Sequence, residues 1–371
     1  MVHVIESDGP GGAEVVFADL VRRVDDAGFR SVGVMPGRTD WLVSTLAGCA
    51  IRHAKSTGWP KKNSFDLAYI QQLRLIFAEE RPDIVHAHSF GCAVYAALAL
   101  LGSRSKLIVT FHGEVDIVKP GRLASFKWLL LRRAHALVCV SESLRAQAAR
   151  TPGIVPTRTR AIHNGIDLAR FSPQGHGRLR HELGVPDGTL LVGAAGNVRP
   201  AKSYEVLLQA VSLLRQRGIQ PRVVIAGENG PSPLVDRLMA LRTSLGLEES
   251  VTFVGYVDDV ATYLNGLDVF VLSSRTEGFS ISTVQALAAG LPVVATDCGG
   301  PAEIIVDGVS GILVRPESAE SLADGLERVL VDAVARERLA TAARQRTLRE
   351  FSLDGMVEHY EALYREALNG R

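Results

Sequence analysis

The chain has 371 residues, more than one hydrophobic core usually organises, so two domains are expected. Hydrophobic residues at 47% and charged residues at 22%, without a low-complexity tract, exclude a largely disordered chain. Lys and Arg number 41 against 40 Asp and Glu, which excludes the polycationic surface that sequence-independent nucleic-acid binding requires.

The balance hides an asymmetry. Residues 1–170 hold 22 Lys and Arg against 15 Asp and Glu, so the first half is basic and the second acidic. Cys49, Cys92, Cys139 and Cys298 stand far apart with no paired spacing, which argues against a zinc cage or a disulfide framework and suits a reducing compartment. The most apolar run, residues 92–101, is half of the ~20 residues that span a bilayer, and no charged start leads into an apolar signal core. A cytoplasmic location is expected.

Short runs rich in Val and Ile recur, each followed by a segment of helical period, the pattern of a parallel sheet with crossover helices. The class is α/β. Strands are expected at residues 2–5, 31–35, 84–86, 106–110 and 136–140. A second series is expected at 190–193, 222–226, 251–254, 269–272, 292–295 and 311–314. Between the series, residues 164–173 carry Asn-Gly and Ser-Pro steps that break regular structure, which sets the linker there. The expected division is 1–168, 169–350, and a final helix over 351–371 that returns to the first domain. Its apolar stripe, Leu353, Met356, Val357, Tyr360, Leu363, Tyr364 and Ala367, has helical period and needs a surface to cover. Neither series opens with a Gly-x-Gly-x-x-Gly fingerprint or a Walker lysine loop, so a dinucleotide oxidoreductase and a P-loop NTPase both lose their main support.

The richest stretch is Ser273-Ser274-Arg275-Thr276-Glu277-Gly278-Phe279-Ser280-Ile281-Ser282, which leaves the 269–272 strand and enters a helix containing Gln285. Backbone N–H groups at a helix start, with the positive end of its dipole, form a seat for a diphosphate. Taken alone, a Glu-Gly step reads as well as a capped helix with a solvated glutamate. The equivalent loop after the 190–193 strand, Gly196-Asn197-Val198-Arg199-Pro200-Ala201-Lys202, carries two cations. Open α/β sheets bring such strand-end loops to one crevice, where Arg199 and Lys202 would reach phosphates held at residues 279–282.

With both loops in view, the chain resembles the retaining glycosyltransferases of family four, whose GT-B fold is two facing Rossmann-like domains. The resemblance runs through Ser7-Asp8-Gly9-Pro10-Gly11-Gly12-Ala13-Glu14, Asp83-Ile84-Val85-His86-Ala87-His88, Thr110-Phe111-His112-Gly113 and Val140-Ser141-Glu142-Ser143. It continues through Ile162-His163-Asn164-Gly165-Ile166-Asp167, Ala226-Gly227, Phe253-Val254-Gly255-Tyr256 and Ala289-Gly290-Leu291-Pro292-Val293-Val294-Ala295. What it implies is position-specific. Lys202 matches the lysine on the donor diphosphate, and Glu277 the first glutamate of a spaced pair, which contacts the transferred sugar. Gly12 matches the glycine loop near the donor phosphate, and His112 a histidine at the sugar end of the cleft. Tyr256 and Gly227 fall on loops at the nucleotide, and Gly278, Phe279, Ser280 and Ile281 form the phosphate turn.

Two positions depart from that pattern. Gln285 stands where the second glutamate would receive the ribose hydroxyls, an amide that still donates and accepts. Asn197 stands where an arginine normally follows the loop glycine, with Arg199 two positions later.

The resemblance implies transfer of a sugar, with retention, from a UDP- or GDP-sugar as co-substrate to a carbohydrate or lipid-linked acceptor, as in polysaccharide or glycoconjugate synthesis. No further cofactor and, lacking an Asp-x-Asp pair, no divalent metal is expected. A non-hydrolysing nucleotide-sugar epimerase shares the architecture, and a nucleotide-sugar-binding pseudoenzyme fits the two departures; both remain as alternatives. From Ile117 to Ser141 no acidic residue occurs. Lys119, Arg122, Lys127, Arg132 and Arg133 interleave there with Leu123, Phe126, Trp128 and Leu129, a pattern that reads either as a domain helix or as a peripheral contact with anionic membrane at its inner face. Arg52, His53, Lys55, Lys61 and Lys62 flank Trp59-Pro60 in an expected loop. His86 and His88 alternate on a strand, and with no third ligand in view a packed or cleft-lining role is expected. His163, His176 and His181 join no constellation.

Overall fold

A computed structural model describes residues 1–7, 9–26, 28–37, 40–54, 66–117, 124–173, 177–227 and 230–370. Lys55, Trp59, Pro60, Lys61, Lys62, Lys119, Arg122, Leu123 and His176 lie outside them. The chain divides into two units, Met1–Gly165 with Leu353–Arg371, and Ile166–Ser352.

Among the described residues the first unit holds seven strands, β1 (Val2–Ile5), β2 (Val32–Met35), β3 (Ala50–His53), β4 (Ile84–His88), β5 (Lys106–Phe111), β6 (Ala136–Cys139) and β7 (Thr159–Ala161). They are all parallel, in the order β3-β2-β1-β4-β5-β6-β7. Five of them sit where the apolar runs predict. β1, β2, β4 and β6 are buried along their whole length, because helices cover both faces of a parallel sheet and leave no polar side. β3 and β7 escape the sequence pattern because their residues, Ala-Ile-Arg-His and Thr-Arg-Ala, form no apolar run: each is a short edge strand with an arginine inside it. Arg52 and His53 accordingly lie on β3 and not in a loop.

The second unit holds β8 (Leu191–Ala195), β9 (Arg222–Ala226), β10 (Val251–Gly255), β11 (Val269–Leu272), β12 (Val293–Thr296) and β13 (Ile312–Val314). Their order is β10-β9-β8-β11-β12-β13, again all parallel. All six answer to expected strands. Val192, Val223, Val269 and Val271 from this sheet form one buried cluster with Leu207 and Leu326 of the helices Tyr204–Gln216 and Ala319–Val331. This is the doubly wound order in which strands run outward from the centre in both directions, and the switch of direction lies between β8 and β11. In the first sheet it lies between β1 and β4.

The helix Leu353–Asn369 belongs to the first unit. Met356, Val357, Tyr360, Leu363, Tyr364 and Ala367 are buried, which covers the stripe except for its half-buried first member, Leu353. Polar contacts fix its register: Tyr364 Oη lies 2.8 Å from His86 Nδ1, Tyr360 Oη 3.2 Å from Thr110 Oγ1, and Glu366 pairs with Arg160 at 2.5 Å. All four cysteines are free thiols. Among the described residues no helix is long and apolar enough to cross a membrane.

Candidate functional site

In the second unit the two loops that flank the switch point meet. The loop after β8 turns at Gly196 and closes through the short 3-10 turn Pro200–Lys202. Gly196 N–H donates to Ala226 O at 2.8 Å, and Gly227 N–H to Gly255 O at 2.7 Å, so the ends of β8, β9 and β10 are laced together. The lacing needs glycine: at Gly227, with φ +150, a Cβ would stand 2.1 Å from Gly196 O. A Cβ on Gly196 would meet Lys202 Cε at 2.5 Å, so the lysine stem runs across this glycine. Lys202 Nζ ends 2.7 Å from Glu277 Oε1, with the two side chains 18% and 15% exposed.

Glu277 is held from both sides. Ser274 Oγ donates to its Oε1 at 2.7 Å, Glu277 N–H donates to Cys298 O, and Gly300 N–H donates to Glu277 O. Ser273 Oγ donates to Lys202 O at 2.8 Å and Arg275 N–H to Ala201 O at 2.9 Å, which ties the Glu277 loop to the Lys202 loop by backbone as well as by charge. Burial pushes the Cys298 thiol up to about 12, so it stays protonated beside this carboxylate. The helix Ile281–Ala288 follows. Its N-cap, Ser280, takes the left-handed conformation at φ +76 and does not cap with its side chain, which pairs with Thr283 Oγ1 at 2.8 Å. The first turn therefore keeps its N–H groups clear of the usual hydroxyl cap.

The remaining expected residues of this unit fall as follows. Gly278 and Phe279 are buried, and the Phe279 ring packs on Phe351, so only its backbone faces the turn. Gln285 lies one helical turn beyond Ile281, both half-buried and on one face. Tyr256 follows β10, is 43% exposed, and adjoins the Gly227 loop through Gly255. Arg199 is exposed and makes no ion pair among the described residues. Ser274 and Arg275 carry no separate signal within the Ser273–Ser282 stretch of the sequence; their hydrogen bonds are its scaffold.

In the first unit the switch point gathers histidines. Gly12 is exposed and opens the helix Gly12–Asp26 after β1, and His112 directly follows β5. Strand register sets His3 of β1 beside His86 of β4, and the third histidine that the sequence did not reveal is therefore His3. Its only signal is a polar residue within the apolar strand Val-His-Val-Ile. Ring nitrogens of His3, His86 and His88 lie within 4.8 Å of one another, the size of a metal site. His86, however, has both nitrogens engaged, by Tyr364 Oη at 2.8 Å and Thr110 Oγ1 at 2.7 Å, and no carboxylate joins the group among the described residues. Burial holds all three rings well below the usual imidazole range and brings His112 down to about 4. Buried Asp116, a second residue missed from sequence, fixes the backbone here by accepting from His112 N–H at 2.8 Å and Phe90 N–H at 3.0 Å.

Comparison with known proteins agrees with this layout. The family model "Glycosyltransferase Family 4" matches residues 10–170, and "Glycosyl transferases group 1" matches residues 177–346. A D-inositol 3-phosphate glycosyltransferase of Actinosynnema mirum is 32% identical over 303 residues, 77% of this chain and 72% of the relative. Another, from Saccharomonospora viridis, is 33% identical over 64% of this chain but 57% of its own length. The crystal structure of Anabaena HepE in complex with UDP and glucose superposes with a TM-score of 0.86 at 22% identity, over 98% of this chain and 99% of that one.

Proposed function

The chain belongs to glycosyltransferase family four, with the GT-B fold, and from that premise we propose that it moves a hexose from a UDP- or GDP-sugar to a carbohydrate or lipid-linked acceptor with retention of anomeric configuration. One observation carries the reading: Lys202 and Glu277, 75 positions apart, meet across the switch point where α/β sheets hold ligands.

Breaking a sugar–phosphate bond leaves positive character on the anomeric carbon and negative charge on the departing diphosphate. Groups already aimed at that charge lower the barrier. In this proposal Lys202, Arg199 and the N–H groups that open the Ile281–Ala288 helix answer the diphosphate. The donor's phosphates take up the ammonium that Glu277 holds in the free protein, and the carboxylate, kept in place by Ser274, accepts from sugar hydroxyls. Gln285 receives ribose hydroxyls, and Tyr256, beside Gly227, covers the base. In the first unit Gly12 and His112 are the proposed ligand contacts. Retention follows from attack on the face the phosphate leaves: the acceptor oxygen bonds to the anomeric carbon, the carbon–phosphate oxygen bond breaks, and the acceptor's proton passes to that phosphate oxygen. No protein nucleophile and no divalent ion is called for.

The acceptor side rests on the helix Ala124–Leu131. Trp128, Leu130 and Leu131 bury one face, while Phe126 and Leu129 are 44% and 56% exposed and exposed Arg132 and Arg133 follow. Apolar side chains beside cations suit an anionic membrane surface, and with it a lipid-linked acceptor at the cytoplasmic face.

The test is release of nucleoside diphosphate from a panel of UDP- and GDP-sugars, with and without candidate acceptors, and the anomeric configuration of the product by NMR. The proposal expects one donor to turn over, faster with acceptor, and to give a product of the donor's configuration. A protein that bound a donor yet released nothing would be a binding module, and an inverted product would remove the same-face mechanism.

A further inference from the structure

Three imidazoles in the first unit form a line. His3 Nδ1 lies 3.4 Å from His88 Nε2, and His88 Nδ1 lies 3.3 Å from His112 Nε2. The planes of His88 and His112 are 15° apart. At the two ends His3 Nε2 and His112 Nδ1 are buried with no hydrogen-bond partner among the described residues. The other nearby ring, His86, is committed to Tyr364 and Thr110 and stands outside the line.

Proton counting constrains such a line. Burial, and for His3 and His88 the neighbouring rings, disfavour the charged form, so each ring is neutral at pH 7 and carries one proton. Each ring-to-ring contact needs one N–H and one bare nitrogen. Choosing the tautomer of any ring therefore fixes the other two, and one end of the line must be N–H while the other is bare. The ends are not equivalent. His3 is fully buried, with Phe17 and Tyr364 set edge-on to it at 6.4 and 6.2 Å between centroids. An N–H there has no acceptor among the described residues, and orphaned buried N–H groups are the rarer fault in proteins. His112 Nδ1 is itself covered, but it belongs to a half-buried residue, so this end of the line lies nearer to solvent and to a ligand oxygen than the fully buried His3 end does.

We propose that His3 and His88 are positioning residues that fix His112 in the tautomer with its proton on Nδ1, so that His112 meets its ligand as a hydrogen-bond donor. His3 Nδ1–H donates to His88 Nε2, His88 Nδ1–H donates to His112 Nε2, and His112 Nδ1–H is left for the ligand. Asp116 holds the His112 backbone, and the line orients the ring and sets the chemistry of its far edge. Only the last step, contact with a sugar or phosphate oxygen, rests on the transferase reading.

The experiment is long-range 1H–15N correlation of the histidine rings in the ligand-free full chain at pH 7.5, which distinguishes N–H from bare nitrogen at each position. Wild type is expected to show His112 and His88 protonated on Nδ1. His3→Phe keeps a ring but cannot donate, and is expected to drop the Nδ1–H population of His112 to half or less, two rings away from the change. His3→Asn, whose amide N–H lies near the lost Nδ1, is expected to restore it. With a working donor, His3→Phe should lower turnover about tenfold, the worth of one hydrogen bond, while moving the donor KM less than twofold. A His112 protonated on Nε2 in wild type, an unaltered His112 in His3→Phe, or Zn2+ binding at the three rings would each overturn the proposal. The spectrum needs no substrate, so absence of transferase activity in wild type would strike the functional reading alone and leave the tautomer result standing.

Discussion

The two sheets share a switch in strand order but arm it with opposite chemistry. In the second unit the flanking loops carry full charges, Lys202 against Glu277, partly open to solvent and laced to the backbone around them. In the first unit the same topological place holds neutral, buried imidazoles joined ring to ring. A diphosphate needs charge and close backbone approach, which the first arrangement gives. A sugar offers hydroxyls, for which uncharged donors of fixed orientation discriminate better than a mobile cation. The fold supplies the location, and the residues at it decide the chemistry.

The contrast is sharpest in acid. His3, His86, His88 and His112 are held neutral in the folded chain below the ordinary value of 6.5, so as pH falls the unfolded chain takes up protons first. Their contribution is complete above pH 6.5 and is lost as pH drops toward the lowered native values, about 4 for His112. Two such groups alone cost about 3 kcal/mol between pH 6.5 and 5. Hydrogen exchange at pH 5 should show β1, β4 and β5 losing protection before β8 and β11. Loss that begins in the second unit would break the comparison.

Backbone tightness gives the next effect. Gly227→Ala drives a Cβ against Gly196 O at a left-handed φ and should destabilise by roughly 3 kcal/mol. Gly113→Ala, beside His112, meets open space in extended backbone and should stay within about 0.5 kcal/mol in a urea melt. Equal losses would mean that the two sites are equally constrained. Glu277→Ala should lower turnover ~100-fold or more at saturating donor with the fold intact, since under the proposed function it removes a group that acts at the reacting sugar. Wild-type turnover would dismiss that role. The smallest effect belongs to Gln285→Ala, expected to raise the donor KM about threefold and hardly change kcat, the mark of binding shared by ground and transition states.

The second unit was the more legible in sequence. Its six strands are apolar-rich runs, largely buried apart from the half-buried edge strand β10, and its site is carried by two contiguous loops, Gly196 to Lys202 and Ser273 to Ser282, whose meeting follows from the sheet order. The first unit hid its two edge strands because Arg52 in β3 and Arg160 in β7 interrupt runs of three or four residues, whereas the equally short edge strand β13 reads Ile-Leu-Val. It also hid the histidine line. His3 and His88 are 85 positions apart, and only the parallel register of β1 on β4 brings them together. Pairing of that kind is a property of the sheet and leaves no local spacing to read.

The account turns on Lys202 facing a diphosphate, and calorimetric titration of UDP and GDP into wild type and Lys202→Ala measures that directly. The nucleoside diphosphate that binds should lose about tenfold or more in affinity on the substitution, while the parent nucleoside binds both proteins alike. Equal affinity of the two proteins for the diphosphate would contradict the account.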